Sequence, residues 1–296
     1  MTQPNNQLKP LKDLNLTDRF LFDEVMEDPQ TQQDTLSIIF GREIPLLGQN
    51  AIEKELRISP LARSIRLDMF SVDEEHTVYN TEMQQKRKSD LAKRSRYYQA
   101  LVDSSLLEPG IPNYNLLNQS YIIMIMPFDL FGYKKYRYTF RAVCEEVPDC
   151  KLEDGAVRIF LNTRGKNPED ISPELVEFLH YLEHTTDSAA GRTKSEYIKR
   201  IHNRVCKVKS NEEVGIKYMQ AWEERYYDRE EAREEGFKIG LEEGREKGLK
   251  EGREEGRVEG RKESKRVFKL YMQGKTVEEI AEICGSSIEK VQSILE

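Results

Sequence analysis

The sequence predicts an α/β protein with a mixed sheet, followed by a long charged helix and a small C-terminal helical unit, and three observations carry that prediction. Short β-like runs stand between two segments of helical period, and a fully apolar run of strand length follows them. Near Trp222 the composition shifts from that of a globular chain to Glu, Arg, Lys and Gly with almost nothing apolar. From Val267 onward, amphipathic segments return, punctuated by Gly274 and Gly285. These shifts divide the chain into an α/β domain over 1–221, a charged helix or linker over 222–265 and a helix-turn-helix-like unit over 266–296.

The elements follow in order. Residues 17–40 read as helical, with Thr17 or Asp18 as N-cap and Pro29 marking a break between two helices. Strand-like runs occupy 52–59, 64–72 and 77–85. Asp73, Glu74, Glu75 and His76 join the last two, a polar connection of hairpin length, so those strands should pair antiparallel. From Lys86 to Leu106 the period becomes 3.6, with Leu91, Tyr98 and Val102 on one stripe and Leu101 beside it. After a loop marked by Pro109, Gly110 and Pro112, "SYIIMIMPF" suits a buried central strand. "YRYTFRAVCEEV" and "AVRIFLNTR" read as further strands, and "SPELVEFLHYLEHTT" as a helix with Ser172 at its N-cap and Pro173 at its first position.

In the charged stretch, Gly236, Gly240, Gly244, Gly248, Gly252, Gly256 and Gly260 recur every four residues. On an α-helix that row drifts slowly around the axis. Each glycine costs roughly 1 kcal/mol against alanine, partly offset by Glu to Arg/Lys pairs at helical spacing. A solvated spacer is one reading, and self-association through the glycine stripe is the other; the charges exclude the membrane form of that motif. In the terminal unit Thr276 and Glu279 make a capping box. Its glutamates outweigh Lys290, which favours packing or homo-oligomerisation over phosphate docking.

Net charge of −7 with 33% charged residues means that any nucleic-acid surface must be a local basic patch. The four cysteines form no C-x-x-C pair, which argues against a disulfide framework or a zinc ribbon and fits a reducing cytoplasm. No N-terminal run resembles a signal peptide, and "SYIIMIMPFDLF" is too short to span a bilayer, so a soluble protein without a membrane partner is expected.

The hairpin "LDMFSVDEEHTVYNTEMQQKRK" carries the chemistry. Side chains at i and i+2 share a strand face, so Asn80, Glu82 and Gln84 point one way, while Asp68 shares a face with Arg66 and Phe70. Hairpin pairing can bring Asp68 beside Glu82. Two converging carboxylates are the hard-oxygen ligands that Mg²⁺ prefers, and such a metal activates water and offsets charge on a phosphate. The following "KRKSDLAKRSRYY" has six basic residues to one acidic. Read as helix, it superimposes Lys86, Lys93 and Tyr97 on one face with Arg94 beside them, where Lys88 and Arg96 add further charge for a phosphodiester backbone.

These residues, together with "PNYNLLNQSYIIMIMPFDLF" and the upstream "LTDRFLFDEVMED", resemble the PD-(D/E)XK nuclease superfamily, and within it the Rpn group of bacterial recombination-promoting nucleases and putative transposases. The resemblance covers about residues 11–185, and the glycine-repeat tail by composition. It implies a restriction-endonuclease-like αβββαβ core, cleavage of DNA with Mg²⁺ or Mn²⁺, metal ligation by Asp68 and Glu82, and Asp18 as an accessory acid from the opening helix. Gln84 stands where the superfamily's lysine usually sits. A neutral amide cannot supply that lysine's charge, and Lys86 or Lys88 is the candidate replacement. The family's frequent Phe-Lys is here Phe22-Asp23, which removes a phosphate contact.

Competing signals are weaker. "HYLEH", His180 to His184, matches the inverted zinc-peptidase motif, but histidines near a helix C-terminus are also favoured by the dipole. His76 and His202 read as surface residues, and Trp222, Tyr226 and Tyr227 as packing at the base of the charged helix. No Walker loop is present, so no ATP dependence is expected. Two functions from different classes follow: a metal-dependent DNA endonuclease, or a catalytically weakened nuclease fold kept for assembly.

Overall fold

In the computed structural model the described residues are 8–46, 51–56, 65–106 and 113–296, with backbone alone over 51–56 and 65–67. The predicted loop at Pro109, Gly110 and Pro112, the strand ends at 57–59 and 64, and the side chain of Arg66 lie outside them. Contacts divide the chain into a unit over Met1–Trp222 and a second over Glu223–Glu296.

The first unit opens with two helices, α1 (Arg19–Met26) and α2 (Pro29–Phe40). Asp18 caps α1, its Oδ1 accepting the Phe20 amide at 3.0 Å. Asp28 caps α2, with Pro29 at the first position, so the proline starts a helix whose left-handed end is Gly41. Strands β1 (Ala51–Leu56), β2 (Ile65–Val72) and β3 (Val78–Met83) lead to α3 (Leu91–Leu106), and then come β4 (Ser120–Met126), β5 (Arg137–Phe140) and β6 (Ala156–Asn162). Helices α4 (Pro173–Glu183), α5 (Asp187–Arg192) and α6 (Glu196–Ser210) close the unit, and α7 (Glu212–Met272) begins within it. Ser172 caps α4 as its sequence predicts.

Two elements differ from expectation. The helix after β3 begins at Leu91 and not at Lys86, because residues 86–90 are exposed and Leu91 is the first apolar side chain able to anchor a turn to the sheet. The strand expected over 136–147 stops at Phe140, since residues 141–150 are exposed apart from half-buried Cys144 and present no face to bury.

The sheet runs β1-β2-β3-β4-β6-β5. β1, β2 and β3 pair antiparallel, β3, β4 and β6 pair parallel, and β5 returns antiparallel to β6. α3 makes the crossover that the parallel β3–β4 pair requires. Period two sorts the central strands onto two cores. Phe70, Val78, Ile122, Met124 and Phe160 pack under Leu91, Tyr98 and Val102 of α3. Met69, Tyr79, Ile123, Ile125 and Ile159 face the other way, onto α1, α2, α4 and α6. β4 contributes to both, which is why its sequence is continuously apolar. Removing a side chain such as Leu91, fully buried between α3 and the sheet, costs about 2–5 kcal/mol.

One glycine is held by close approach. A Cβ on Gly165 would lie 2.3 Å from Cγ of Tyr136. The Tyr136 amide donates to Asn167 Oδ1 at 2.8 Å, and its hydroxyl lies 2.9 Å from His180 Nε2.

α7 is one helix of 61 residues that starts ten residues before the composition shift at Trp222. In its first turns Tyr218 is buried and donates its hydroxyl to the Lys9 carbonyl at 2.8 Å, so tertiary packing holds that start. In the second unit a Cβ on any of the seven repeat glycines would meet nothing within 4 Å among the described residues. Trp222 and Tyr226 are half-buried, whereas Tyr227 is exposed and meets the Tyr226 ring edge-on, with centroids 5.7 Å apart. α8 (Val277–Cys284) and α9 (Ile288–Leu295) complete the chain, with the Thr276–Glu279 capping box formed. Val267, Ile280, Ala281 and Val291 make a small core of their own. Among the described residues no helix is long and apolar enough to cross a membrane.

Candidate functional site

The β2–β3 register, with Met69 opposite Thr81 and Phe70 opposite Asn80, sets Asp68 alongside Glu82. The two are tied through the backbone: the Asp68 amide donates to Glu82 Oε1 at 3.3 Å, and the Met83 amide donates to Asp68 Oδ2 at 3.1 Å. Both side chains are buried, at 1% and 2% exposure for the residues. Carboxylates so deep need compensating positive charge or a proton.

Two arginines supply the charge. Arg19 of α1 donates to Asp68 Oδ1 at 2.6 Å, and its Nε lies 3.5 Å from Asp23 Oδ2. Arg94 of α3 lies 3.5 Å from Glu82 Oε2, donates to Gln84 Oε1 at 2.9 Å, and donates through Nε to the Tyr98 hydroxyl at 2.6 Å. Compensation is incomplete. Burial raises the Asp68 carboxyl above its ordinary value against the pull of Arg19, the Met83 amide and Arg94. Burial and then the Asp68 charge push Glu82 up to about 8, against Arg94 and the Asp68 amide. Burial, reinforced by the Glu82 charge, moves the Tyr98 phenol up to about 12. Burial and the neighbouring Asp68 charge thus disfavour the ionised form of Glu82, and added positive charge would favour it. Nearby on the same strand face, the buried Asn80 amide finds no hydrogen-bond partner among the described residues.

A hard divalent cation fits this donor set. Both acids offer oxygen, burial disfavours both as uncompensated anions, and Gln84 adds a neutral oxygen on the same face. Among the described residues no third acid, His or Cys joins the pair within ligand distance.

The structure brings together Asp68, Glu82, Gln84 and Arg94, and leaves other predicted residues apart. Lys86 and Lys88 lie exposed in the loop before α3, so Lys86 does not share a helical face with Lys93 and Tyr97. Lys93 and Arg96 are exposed on α3, and Tyr97 is half-buried. Arg94, expected among the phosphate contacts, turns inward because Glu82, Gln84 and Tyr98 all offer it acceptors. Asp18 caps α1, and its second oxygen accepts from Gln85 Nε2 at 3.4 Å, next to the site rather than in it. Arg19 and Asp23 were missed by sequence reasoning. Their i,i+4 spacing was visible, but the link from Arg19 to Asp68 spans 49 residues and has no local signature.

In the zinc-peptidase match, the His180 ring and the Glu183 carboxylate have other partners, and His184 ends the helix with its backbone amide. His180 meets Tyr136, His184 closes α4, and Glu183 accepts from Arg164 at 2.9 Å and from Thr163. His202, expected at the surface, has a side chain only 14% exposed, because Tyr181 and Asp187 flank its ring.

A mixed sheet flanked by helices, with paired acids on adjoining strands, is the frame of a nuclease-like protein. The family model for PD-(D/E)XK nuclease family transposases matches residues 49–236, more than half of the chain, and the protein belongs to that family. No curated protein and no solved structure matches the chain. The matched segment contains every described strand and the acid pair, but not α1, from which Arg19 reaches Asp68.

Proposed function

We propose that the protein is a Mg²⁺-dependent DNA endonuclease of the Rpn type, able to use Mn²⁺, which cuts phosphodiester bonds in the setting of recombination or of a mobile element. The observation that carries this reading is the pair of buried carboxylates, Asp68 and Glu82, whose charge Arg19 and Arg94 balance only in part.

Asp68 and Glu82 would hold the metal, which when bound lowers the pKa of a water and offsets charge on the phosphate. Gln84 occupies the position of the superfamily's lysine and cannot carry charge. Arg94, held against Gln84 and braced by Tyr98, supplies a fixed cation there instead of Lys86 or Lys88. Its planar guanidinium suits a phosphate oxygen. Lys86, Lys88, Lys93, Arg96 and Tyr97 would contact the DNA backbone from the loop before α3 and its exposed face.

Plasmid nicking with Mg²⁺ or Mn²⁺ tests the reading. Wild-type protein should nick, and Asp68→Asn and Glu82→Gln should abolish nicking while their circular dichroism stays native. Undiminished activity in those variants overturns it. A second reading, a weakened nuclease fold kept for assembly, is favoured by Gln84 and by the exposed glycine row of α7. Inactivity with both metals, together with an oligomer that is lost on truncation at residue 222, would select it.

A further inference from the structure

Apart from the residues of the acid pair, α5 and α6 bring together three metal-ligand side chains of different kinds. Asp187 Oδ1 lies 3.2 Å from His202 Nε2, Cys206 Sγ lies 3.5 Å from that same nitrogen, and the three atoms are within 4.8 Å of one another. His202 and Cys206 stand at i and i+4 on α6 and so share a face. Asp187 is placed by Thr186, which caps α5 immediately before it. We propose that Asp187, His202 and Cys206 form a binding site for a transition-metal ion of the zinc class, separate from the acid pair of β2 and β3.

Which nitrogen the neighbours meet decides between a relay and a coordination face. In a nucleophilic relay the acid orients one ring nitrogen while the thiol uses the other. Here acid and thiol both converge on Nε2, and Nδ1 is occupied by the Tyr181 hydroxyl at 2.8 Å. In the tautomer that metal binding requires, Nδ1–H is donated to Tyr181 and the Nε2 lone pair faces Asp187 and Cys206. That is how an outer partner fixes the tautomer of a metal-binding histidine. Tyr181 is itself buried, which holds its phenol neutral and fit for the role.

The spacing agrees with tetrahedral coordination. Bonds of about 2.3 Å to sulfur and about 2.0 Å to nitrogen or oxygen set S and N about 3.5 Å apart, and N and O about 3.3 Å apart. The observed separations of 3.5 and 3.2 Å match these two, and the third, between Asp187 and Cys206, is within 4.8 Å. Ligand softness separates this cluster from the first site: one thiolate, one imidazole and one carboxylate suit Zn²⁺ or Co²⁺, whereas oxygen alone suits Mg²⁺. Cys206 and Asp187 are exposed, so an ion can enter from solvent and keep a water in its fourth position. Binding would release the thiol proton to solvent.

Cobalt(II) titration of the full chain under reducing conditions tests the site. One equivalent should give near-ultraviolet thiolate-to-cobalt absorption with visible bands of tetrahedral intensity, and zinc should bleach both. Cys206→Ser should remove the thiolate band, and His202→Gln should weaken cobalt binding at least tenfold. The triple variant Cys144→Ser, Cys150→Ser, Cys284→Ser should retain the band. So should Asp68→Asn, which separates this site from the nuclease reading. No thiolate band in wild-type protein, or a band that survives Cys206→Ser in protein with native circular dichroism, overturns the proposal.

Discussion

The two units use charge in opposite ways. In the first, Asp68 and Glu82 are sealed against each other inside the sheet, and Arg19 and Arg94 are drawn in from two different helices to meet them. In the second, α7 carries Glu, Arg and Lys around its whole circumference, exposed, with pairs such as Arg257–Glu254 at 2.9 Å repeating along its length. Exposed pairs of that kind contribute about 0–1 kcal/mol each, because water already solvates both partners. A buried carboxylate stripped of its partner costs about 3–5 kcal/mol. The same side-chain chemistry is therefore nearly neutral to the fold on α7 and costly to leave uncompensated between β2 and β3.

The sharpest way to break the contrast is to neutralise the buried pair. Asp68→Asn or Glu82→Gln should lower metal-dependent nicking by about a thousandfold, the rate equivalent of roughly 4 kcal/mol of lost transition-state stabilisation. Replacing Arg94 by Met should have a smaller effect, about 10–100-fold in single-turnover cleavage, with Arg94→Lys intermediate because a lysine cannot span Glu82, Gln84 and Tyr98 together.

A third effect concerns stability without metal. Glu82 ionises near 8 in the fold against an ordinary value of 4.5, so between those values the folded state keeps a proton that the unfolded chain has released. Stability therefore falls as pH rises across that window. Glu82→Gln should raise the Tm of metal-free protein at pH 8, by the equivalent of about 1–3 kcal/mol, and the gain should vanish as pH approaches 4.5. Thermal melts at the two ends of the window measure it, and an equal gain at both ends would contradict the assigned protonation.

The smallest effect belongs to α7. Gly244→Ala and Gly248→Ala meet open space and should each stabilise the helix by about 0.5–1 kcal/mol, read as increased helicity, with nicking unchanged. Sedimentation of the same variants separates a solvated spacer from self-association through the glycine row, which the added methyl groups would weaken.

Much of this was legible in the chain. Period two over 64–72 and 77–85 predicted that Asp68 and Glu82 could meet, because hairpin register follows from the connection length and the alternation. The helix starts at Ser172 and Thr276 were readable from their side chains, since capping is local chemistry. The start of α3 was not, because the basic run after β3 is compatible with helix and only the burial of Leu91 decides where the first turn forms. Nor was the inward turn of Arg94 or the reach of Arg19, which depend on packing between distant elements. His202 and Cys206 carried a visible i,i+4 spacing, but Asp187 joins them from a different helix.

Among the seventeen glycines the eye goes to the seven that tick past every fourth residue, yet those are the ones a lineage could replace without disturbing a neighbour in the monomer. Gly165, which belongs to no pattern, lies against the Tyr136 ring, so even alanine there would have to displace a side chain that meets His180. Tolerance to drift in this protein is thus set by what stands opposite a residue, and among the described glycines an inconspicuous one has the closest neighbour.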